Sequence, residues 1–299
     1  MRREERKVRK NRSTIAIIGS FTIDNIENRK VIGGSAYYCL MALKHFYDDQ
    51  IMLIAPAQRV HIDLLKDMGI KLITVSNEVP VFELVYIDEI NRKVKLLKKG
   101  AVIKVDSEVL SMLRNSLAII SPVYKEVSLE TIYGVRSVAT TLALDIQGFV
   151  REANNYGEII IRWNNELVQA LRIVDIVHAD LSEVPMYRSA LSAVKFLSKY
   201  SKGIVIVSMG AHGLIASFNQ EIMYIPALPG IQGDATGTGD ILLSIAAYEF
   251  YKGEDWKRAI AKGAAAAGLR VSRGRIPWFN YYEIEVLSDN LISKSKVLR

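Results

Sequence analysis

Gly233-Asp234-Ala235-Thr236-Gly237-Thr238-Gly239-Asp240, running straight into Ile241-Leu242-Leu243-Ser244-Ile245-Ala246-Ala247, is the stretch whose reading decides the fold. Its second half is a helix that is apolar and small on nearly every face. Its first half opens that helix with glycines and threonines. The first amides of a helix have no partner inside it, so an opening of this kind offers N–H groups to an anion. Gly237 and Gly239 have no Cβ to keep a phosphate away. Asp240 is the odd residue, because a carboxylate inside a phosphate cradle repels the ligand unless it faces a hydroxyl that attacks the phosphate. The plainer explanation of the same letters is a helix cap, with Asp234 or Asp240 as the capping acid and Thr236 or Thr238 assisting.

Asp-Ala-Thr-Gly-Thr-Gly-Asp over residues 234–240 resembles the C-terminal signature of the ribokinase-like (PfkB) carbohydrate kinases, usually Asp-Thr-x-Gly-Ala-Gly-Asp. Ala235 and Thr238 depart from it, small for small. The resemblance implies an α/β fold, with a central mostly parallel sheet flanked by helices and a small antiparallel β lid. It also implies a phosphotransferase using ATP and Mg²⁺, with Asp240 as the catalytic base and Gly237, Thr238 and Gly239 as the anion hole. Near a helix N-terminus the pKa of Asp240 is expected to be low.

The 299 residues, half of them hydrophobic, suffice for one large α/β domain or two modest ones. The net charge of +7 is uneven: residues 1–12 hold seven Lys/Arg and two Glu, so the body is nearly neutral. A tail of this kind reads as a solvated arm, over residues 1–13, with nucleic-acid binding as the rival explanation. No apolar run approaches the roughly 20 residues that span a bilayer, and Ile15–Ile18 is too short for a signal-peptide core. A cytoplasmic protein is expected. Cys39 is the one cysteine, which excludes an internal disulfide and a cysteine-rich metal site. The four histidines (His45, His61, His178, His212) show no metal-ligand spacing and read as structural.

Thr14–Ile18 is a short apolar run ending in Gly19, a buried parallel strand, which places Asp24 shortly beyond a strand end where ligands gather. Gly19-Ser20-Phe21-Thr22-Ile23-Asp24 is similar to the opening Gly-Ser-x-Asn-x-Asp of sugar kinases, where the last Asp binds substrate hydroxyls; a turn aspartate explains it equally. Gly33-Gly34-Ser35 opens a helix with Ala36, Leu40, Leu43 and Tyr47 on its apolar face. It resembles the family's Gly-Gly-x-x-x-Asn, with Tyr38 in place of Asn, a pattern closer to the archaeal inositol-kinase-like members. Strands at Ile51–Ile54 and Lys71–Val75 flank a helix over Val60–Met68.

Residues 81–99 alternate as a β-hairpin around a polar turn near Asp88–Arg92. In the family this hairpin is a lid and often a dimer contact, so one domain is expected over 14–299, with lid inserts at about 21–32 and 81–100. Core strands resume at Leu117–Ile120 and Thr141–Leu144. Asp145-Ile146-Gln147-Gly148-Phe149-Val150-Arg151 looks like the Asp-Pro-Gln-Gly-x-x-Arg segment of the inositol-kinase-like subgroup, which puts Gln147 and Arg151 at the substrate; a plain surface Arg is the alternative. The strand Ile173–His178 leads to Asp180 and Glu183, similar to the family's Asn-x-x-Glu, which arranges water around Mg²⁺. The same letters also spell a capping box. Ser208, Gly210 and Gly213 match the family's nucleotide loop and equally mark a turn into the strand Leu214–Phe218. Gly263 and Gly268 mimic a Walker A spacing, but Leu269-Arg270 follows where Lys-Ser/Thr is required, so that motif is rejected. The residues after Lys294 look like a polar end.

The expected reaction moves the γ-phosphoryl of ATP onto a hydroxyl of a sugar or polyol, myo-inositol-like by the subgroup motifs. A nucleoside kinase is the alternative, with Phe21, Tyr37 and Tyr38 stacking a base. From another class, the chain is a non-catalytic ligand sensor or a tail-mediated nucleic-acid binder. A small-molecule substrate and a possible homodimer through the lid complete the expectation.

Overall fold

The computed structural model describes residues 14–298 apart from 28, 45, 46, 48, 87–91, 274 and 275. The basic tail, His45 and all of the expected 88–92 turn except Arg92 lie outside the described residues.

The chain opens with β1 (Thr14–Gly19), followed by β2 (Thr22–Ile26), β3 (Arg29–Gly33), α1 (Ser35–Lys44), β4 (Gln50–Ala55), α2 (Arg59–Leu65) and β5 (Lys71–Thr74). Then come β6 (Val81–Tyr86), β7 (Arg92–Lys98), α3 (Ser107–Met112), β8 (Leu117–Ser121), α4 (Leu129–Arg136), β9 (Thr141–Asp145) and α5 (Gln147–Val150). The hairpin β10 (Arg151–Ala153) and β11 (Ile159–Ile161) precedes α6 (Asn165–Leu171), β12 (Ile176–Asp180), α7 (Ala190–Leu197) and β13 (Ile204–Ser208). The chain closes with β14 (Leu214–Phe218), β15 (Glu221–Ile225), α8 (Thr238–Tyr251), α9 (Trp256–Ser272), α10 (Tyr281–Lys294) and β16 (Lys296–Leu298).

Ten strands form one sheet in the order β16-β15-β14-β13-β12-β9-β8-β1-β4-β5, parallel from β13 to β5 and antiparallel at the other edge. Side chains alternate across a strand, and here both faces are apolar. Ile15, Ile17, Leu117, Ile119, Ile204 and Ile206 face one core with α1, α8, α9 and α10. Ala16, Ile18, Ala118, Ile120, Val205 and Val207 face the other, with α4, α6 and α7. Helices of the second layer begin on side-chain caps: Ser128 accepts from the Thr131 amide, Asn164 from that of Leu167 and Ser189 from that of Ser192.

From β1 the chain crosses through α1 to β4, and from β8 it crosses through α4 to β9 in the opposite direction. The border between β1 and β8 is therefore a switch point, where α/β sheets hold ligands beyond the carboxyl ends of their strands. A second sheet, β3-β2-β6-β7, stands beside it, with Phe82, Leu84 and Leu96 packed inward on Val123. Val31, Val85 and Leu97 point out to solvent, the two unlike faces expected of this segment.

Some expectations are corrected. α2 ends at Leu65 rather than Met68. β12 starts at Ile176, three residues late, because Ile173 and Val174 lie in the bend that follows α6. The polar end is not a tail: Lys296–Leu298 pairs with β15 as an edge strand, exposed enough to tolerate its lysine. Among the described residues no helix is long and apolar enough to cross a membrane.

Candidate active site

Gly19, Ser121, Asp145, Asp180 and Ser208 are the last residues of β1, β8, β9, β12 and β13, and α8 starts among them. Gly237 stands at φ +78°, a left-handed conformation that only glycine adopts without strain, and it turns the chain into α8. Asp240 in the first turn is held by the Ser121 hydroxyl, which donates to its Oδ1 at 2.7 Å. Ser35, at the start of α1, donates to the Ser121 carbonyl, and the Cys39 thiol donates to the Asp240 carbonyl at 3.6 Å. Three elements thus lock one carboxylate over the switch point.

The cradle amides behave unequally. Thr238 turns both donors back on Ala235, its N–H at 3.2 Å and its Oγ1 at 2.9 Å from the carbonyl. Thr238 is therefore a loop brace in this structure rather than a ready part of the anion hole. The amides of Gly237, Gly239 and Asp240 have no acceptor among the described residues. They point to the anion-binding part of the motif.

Burial, followed by the nearby Asp145 carboxylate, pushes Asp240 up to about 7. The hydroxyl of Ser121, His178 and Arg151 oppose the rise without cancelling it. The low value expected from the helix N-terminus is thus corrected: desolvation outweighs the dipole. A base near neutrality suits proton removal better than a fully acidic carboxylate.

His178, which sequence reasoning set aside as structural, lies at the centre. Its Nδ1 is 2.7 Å from Asp145 Oδ2, its Nε2 is 3.2 Å from Ser208 Oγ, and a Cβ added to Gly239 would sit 2.8 Å from its Cε1. Burial disfavours its charged form, but Asp145 outweighs burial and raises its pKa. Ser208 passes the chain on to Asp180 Oδ2 at 3.2 Å. His178 carried no sequence signal, since its partners lie 33 and 30 residues away. Ser121 had none either.

Asp180 and Glu183 form the capping box: the Asp180 amide donates to Glu183 Oε2 at 2.9 Å, and Asp180 Oδ1 accepts from Ser182. Burial and Asp145 push Glu183 up to about 8. Among the described residues no group of three or more His, Cys, Asp and Glu side chains is arranged to hold a metal directly. An oxygen-only pair fits Mg²⁺ held through its own waters, since that ion dehydrates reluctantly.

Asp24 is 8% exposed, and a Cβ at Gly33 would come within 2.3 Å of its Oδ2. Gly33 thus lets β3 run close to this carboxylate. Gly34, at φ +90°, lies against the Ser20 carbonyl and brings α1 to the end of β1. Arg151 donates to Gln147 Oε1 at 2.6 Å, and its charge is felt at both Asp240 and Glu183. Tyr38, 7% exposed, stacks on Trp278 at 5.9 Å and fills the space where a Cβ of Gly237 would be. Gly210 and Gly213, at φ +53° and +81°, form the turn after β13, closed by the Met209 amide on the Gly213 carbonyl at 2.8 Å.

The fold is of the ribokinase-like α/β type. The chain is similar to a pyrophosphate-dependent kinase in the ribokinase family, solved with a pyrophosphate analog and myo-inositol (TM-score 0.76, 17% identity, 91% of this chain and 99% of that one covered). It is similar to ribokinase from Thermotoga maritima (TM-score 0.71, 16% identity, 93% and 100% covered). It also resembles phosphofructokinase-2 from Escherichia coli in complex with potassium (TM-score 0.65, 15% identity, 94% and 99% covered). No curated protein matches by sequence. Residues 158–275 match the family model described as pfkB family carbohydrate kinase. That match covers less than half of the 299 residues, and the likeness over the whole chain is one of fold.

Proposed function

We propose that the protein transfers the γ-phosphoryl of ATP to a hydroxyl of a small polyol of the myo-inositol type, in the cytoplasm. The observation that carries this is the Asp240 carboxylate, fixed by Ser121 at the mouth of α8 beside amides without an acceptor. Asp24 accepts hydrogen bonds from the polyol hydroxyls. Asp240 orients the attacking hydroxyl and takes its proton late, as a loose phosphoryl-transfer transition state allows. Gly237, Gly239 and the Asp240 amide stabilise the moving phosphoryl. Arg151 adds positive charge beside them. Ser208, Gly210 and Gly213 lie along the nucleotide. Asp180 and Glu183 would hold Mg²⁺ through water, and that ion would neutralise phosphate charge when bound.

A polyol is favoured over a nucleoside because two of the three candidate aromatic faces, those of Phe21 and Tyr38, are occupied. Phe21 is fully buried against His61 at 4.6 Å, and Tyr38 is stacked on Trp278. The sheet β3-β2-β6-β7 would act as the lid of a single domain, and its outward Val31, Val85 and Leu97 suit a homodimer.

The test is turnover with myo-inositol, ribose, fructose, cytidine, adenosine and fructose 6-phosphate, each with ATP and with pyrophosphate as donor. The pyrophosphate arm follows from the similar structure that uses it. Turnover with a polyol and ATP, abolished in Asp240→Asn, is expected. Preference for a nucleoside, or full activity of Asp240→Asn, overturns the assignment.

A further inference from the structure

We infer that Arg270 is a positioning residue: it ties down the loop that presents the phosphate-binding amides. The inference rests on the phosphate-cradle reading proposed above. Arg270 stands in the last turn of α9, far along the chain from the loop, and is 7% exposed. Its Nη2 donates to Asp234 Oδ2 at 3.1 Å and its Nη1 to the Asp234 carbonyl at 3.4 Å, so both side chain and backbone of one residue are gripped. Asp234 in turn accepts from the Thr236 amide at 2.9 Å through its other oxygen. Gly237 follows at once, and then α8.

The guanidinium lies over two rings as well, 5.7 Å from Tyr38 and 5.2 Å from Trp278. Tyr38 is the ring that fills the space beside Gly237, so Arg270 reaches the cradle by two routes: through Asp234 along the chain, and through Tyr38 across space. A planar cation with a forked donor set can serve both at once, which a lysine ammonium cannot. With both terminal nitrogens directed at Asp234, Arg270 acts on the amides rather than on the phosphate.

Releasing this tether leaves Gly233 and Gly237, both at positive φ, free to carry the loop elsewhere. The amides then lose their set direction, and a misplacement of about 1 Å costs on the order of 100-fold in rate. Asp24 and Gly33 lie on β2 and β3, and Arg270 makes none of these hydrogen bonds to either of them.

The experiment compares wild type with Arg270→Met, Arg270→Lys, Asp234→Asn and the Asp234→Asn/Arg270→Met double variant, below the melting temperature of each. Tripolyphosphate binding is measured by calorimetry, and kcat and both KM values with ATP and the best acceptor. Arg270→Met is expected to lose about 10- to 100-fold in kcat and to weaken tripolyphosphate binding by about tenfold, with acceptor KM within about twofold of wild type. Arg270→Lys recovers part of the loss, and the double variant is no worse than either single one. A purely structural arginine would lower stability and leave tripolyphosphate affinity and the KM split unchanged. That result in Arg270→Lys and Asp234→Asn, or additive losses in the double variant, overturns the inference. If wild type itself binds neither tripolyphosphate nor ATP, the phosphate-cradle reading falls, and the inference with it.

Discussion

Asp240→Asn separates what the site needs for chemistry from what the fold needs for stability. Burial, then Asp145, lifts the Asp240 carboxyl from its ordinary 3.8 to about 7. Between those values the unfolded chain has released the proton and the folded chain still holds it. Wild-type stability therefore falls as pH rises from about 4 to about 7, and stays lowered above that. At 1.36 kcal/mol per pH unit the full difference corresponds to about 4 kcal/mol. Asp240 is only partly buried by surface exposure, so solvent screening halves this to about 2 kcal/mol. Asparagine has the same shape, still accepts the Ser121 hydroxyl and has no charge to desolvate. Thermal melts of ligand-free wild type and variant at pH 4.5, 6 and 8 are the assay. The variant is expected to match wild type near pH 4.5 and to melt about 3 °C higher at pH 8, while turning over no substrate. A gap that is the same at every pH, or a wild type that gains on the variant as pH rises, refutes the reasoning.

The same carboxyl governs rate: kcat is expected to fall about tenfold per pH unit below about 7 and to level off above it, and a profile flat down to pH 5 counts against Asp240 as the base. Gly237→Ala forces a side chain into φ +78° and onto the Tyr38 ring at 2.1 Å; about 1–3 kcal/mol of stability and most turnover should be lost, with urea unfolding and a coupled ATPase assay as the checks. Lys262, 2% exposed, pairs with Glu249 at 2.8 Å, Glu254 at 3.0 Å and Glu285 at 2.6 Å. Arg258 still pairs with Glu254 and Glu285, so Lys262→Met leaves the buried Glu249 without a cation and should destabilise by about 3 kcal/mol; an unchanged urea midpoint would disprove that this ammonium compensates Glu249.

The central sheet was legible because its strands are apolar on both faces and bounded by glycine or polar residues. Ile15–Ile18, Leu117–Ile120 and Ile204–Val207 have no other plausible use than a covered parallel sheet. The elements missed were those whose stability is not local. The hairpin of Arg151–Ala153 with Ile159–Ile161 has three-residue strands, too short for a periodic signal, and its alignment is set by pairing alone. Lys296–Leu298 becomes a strand only because β15 offers an unpaired edge.

In the site, neighbours within one motif are legible in the sequence, and contacts made across the chain are not. Asp240 and Gly237 belong to one contiguous stretch, whereas Ser121 reaches Asp240 across 119 residues and Arg270 reaches Asp234 across 36. The misjudged pKa has the same origin. A helix N-terminus is visible in sequence and argues for an acidic carboxylate. The enclosure by Asp145, His178 and Ser121 is visible only when β8, β9 and β12 end together. Because desolvation prevails, Asp240 is a stronger base than its local sequence suggests, and it destabilises the empty fold for the same reason. A phosphoryl group entering the amides of Gly237, Gly239 and Asp240 would add negative charge beside carboxylates that already resist ionisation. On the proposed function, positive charge from Arg151, and from a metal if Asp180 and Glu183 hold one, is therefore a requirement of binding rather than an addition to it.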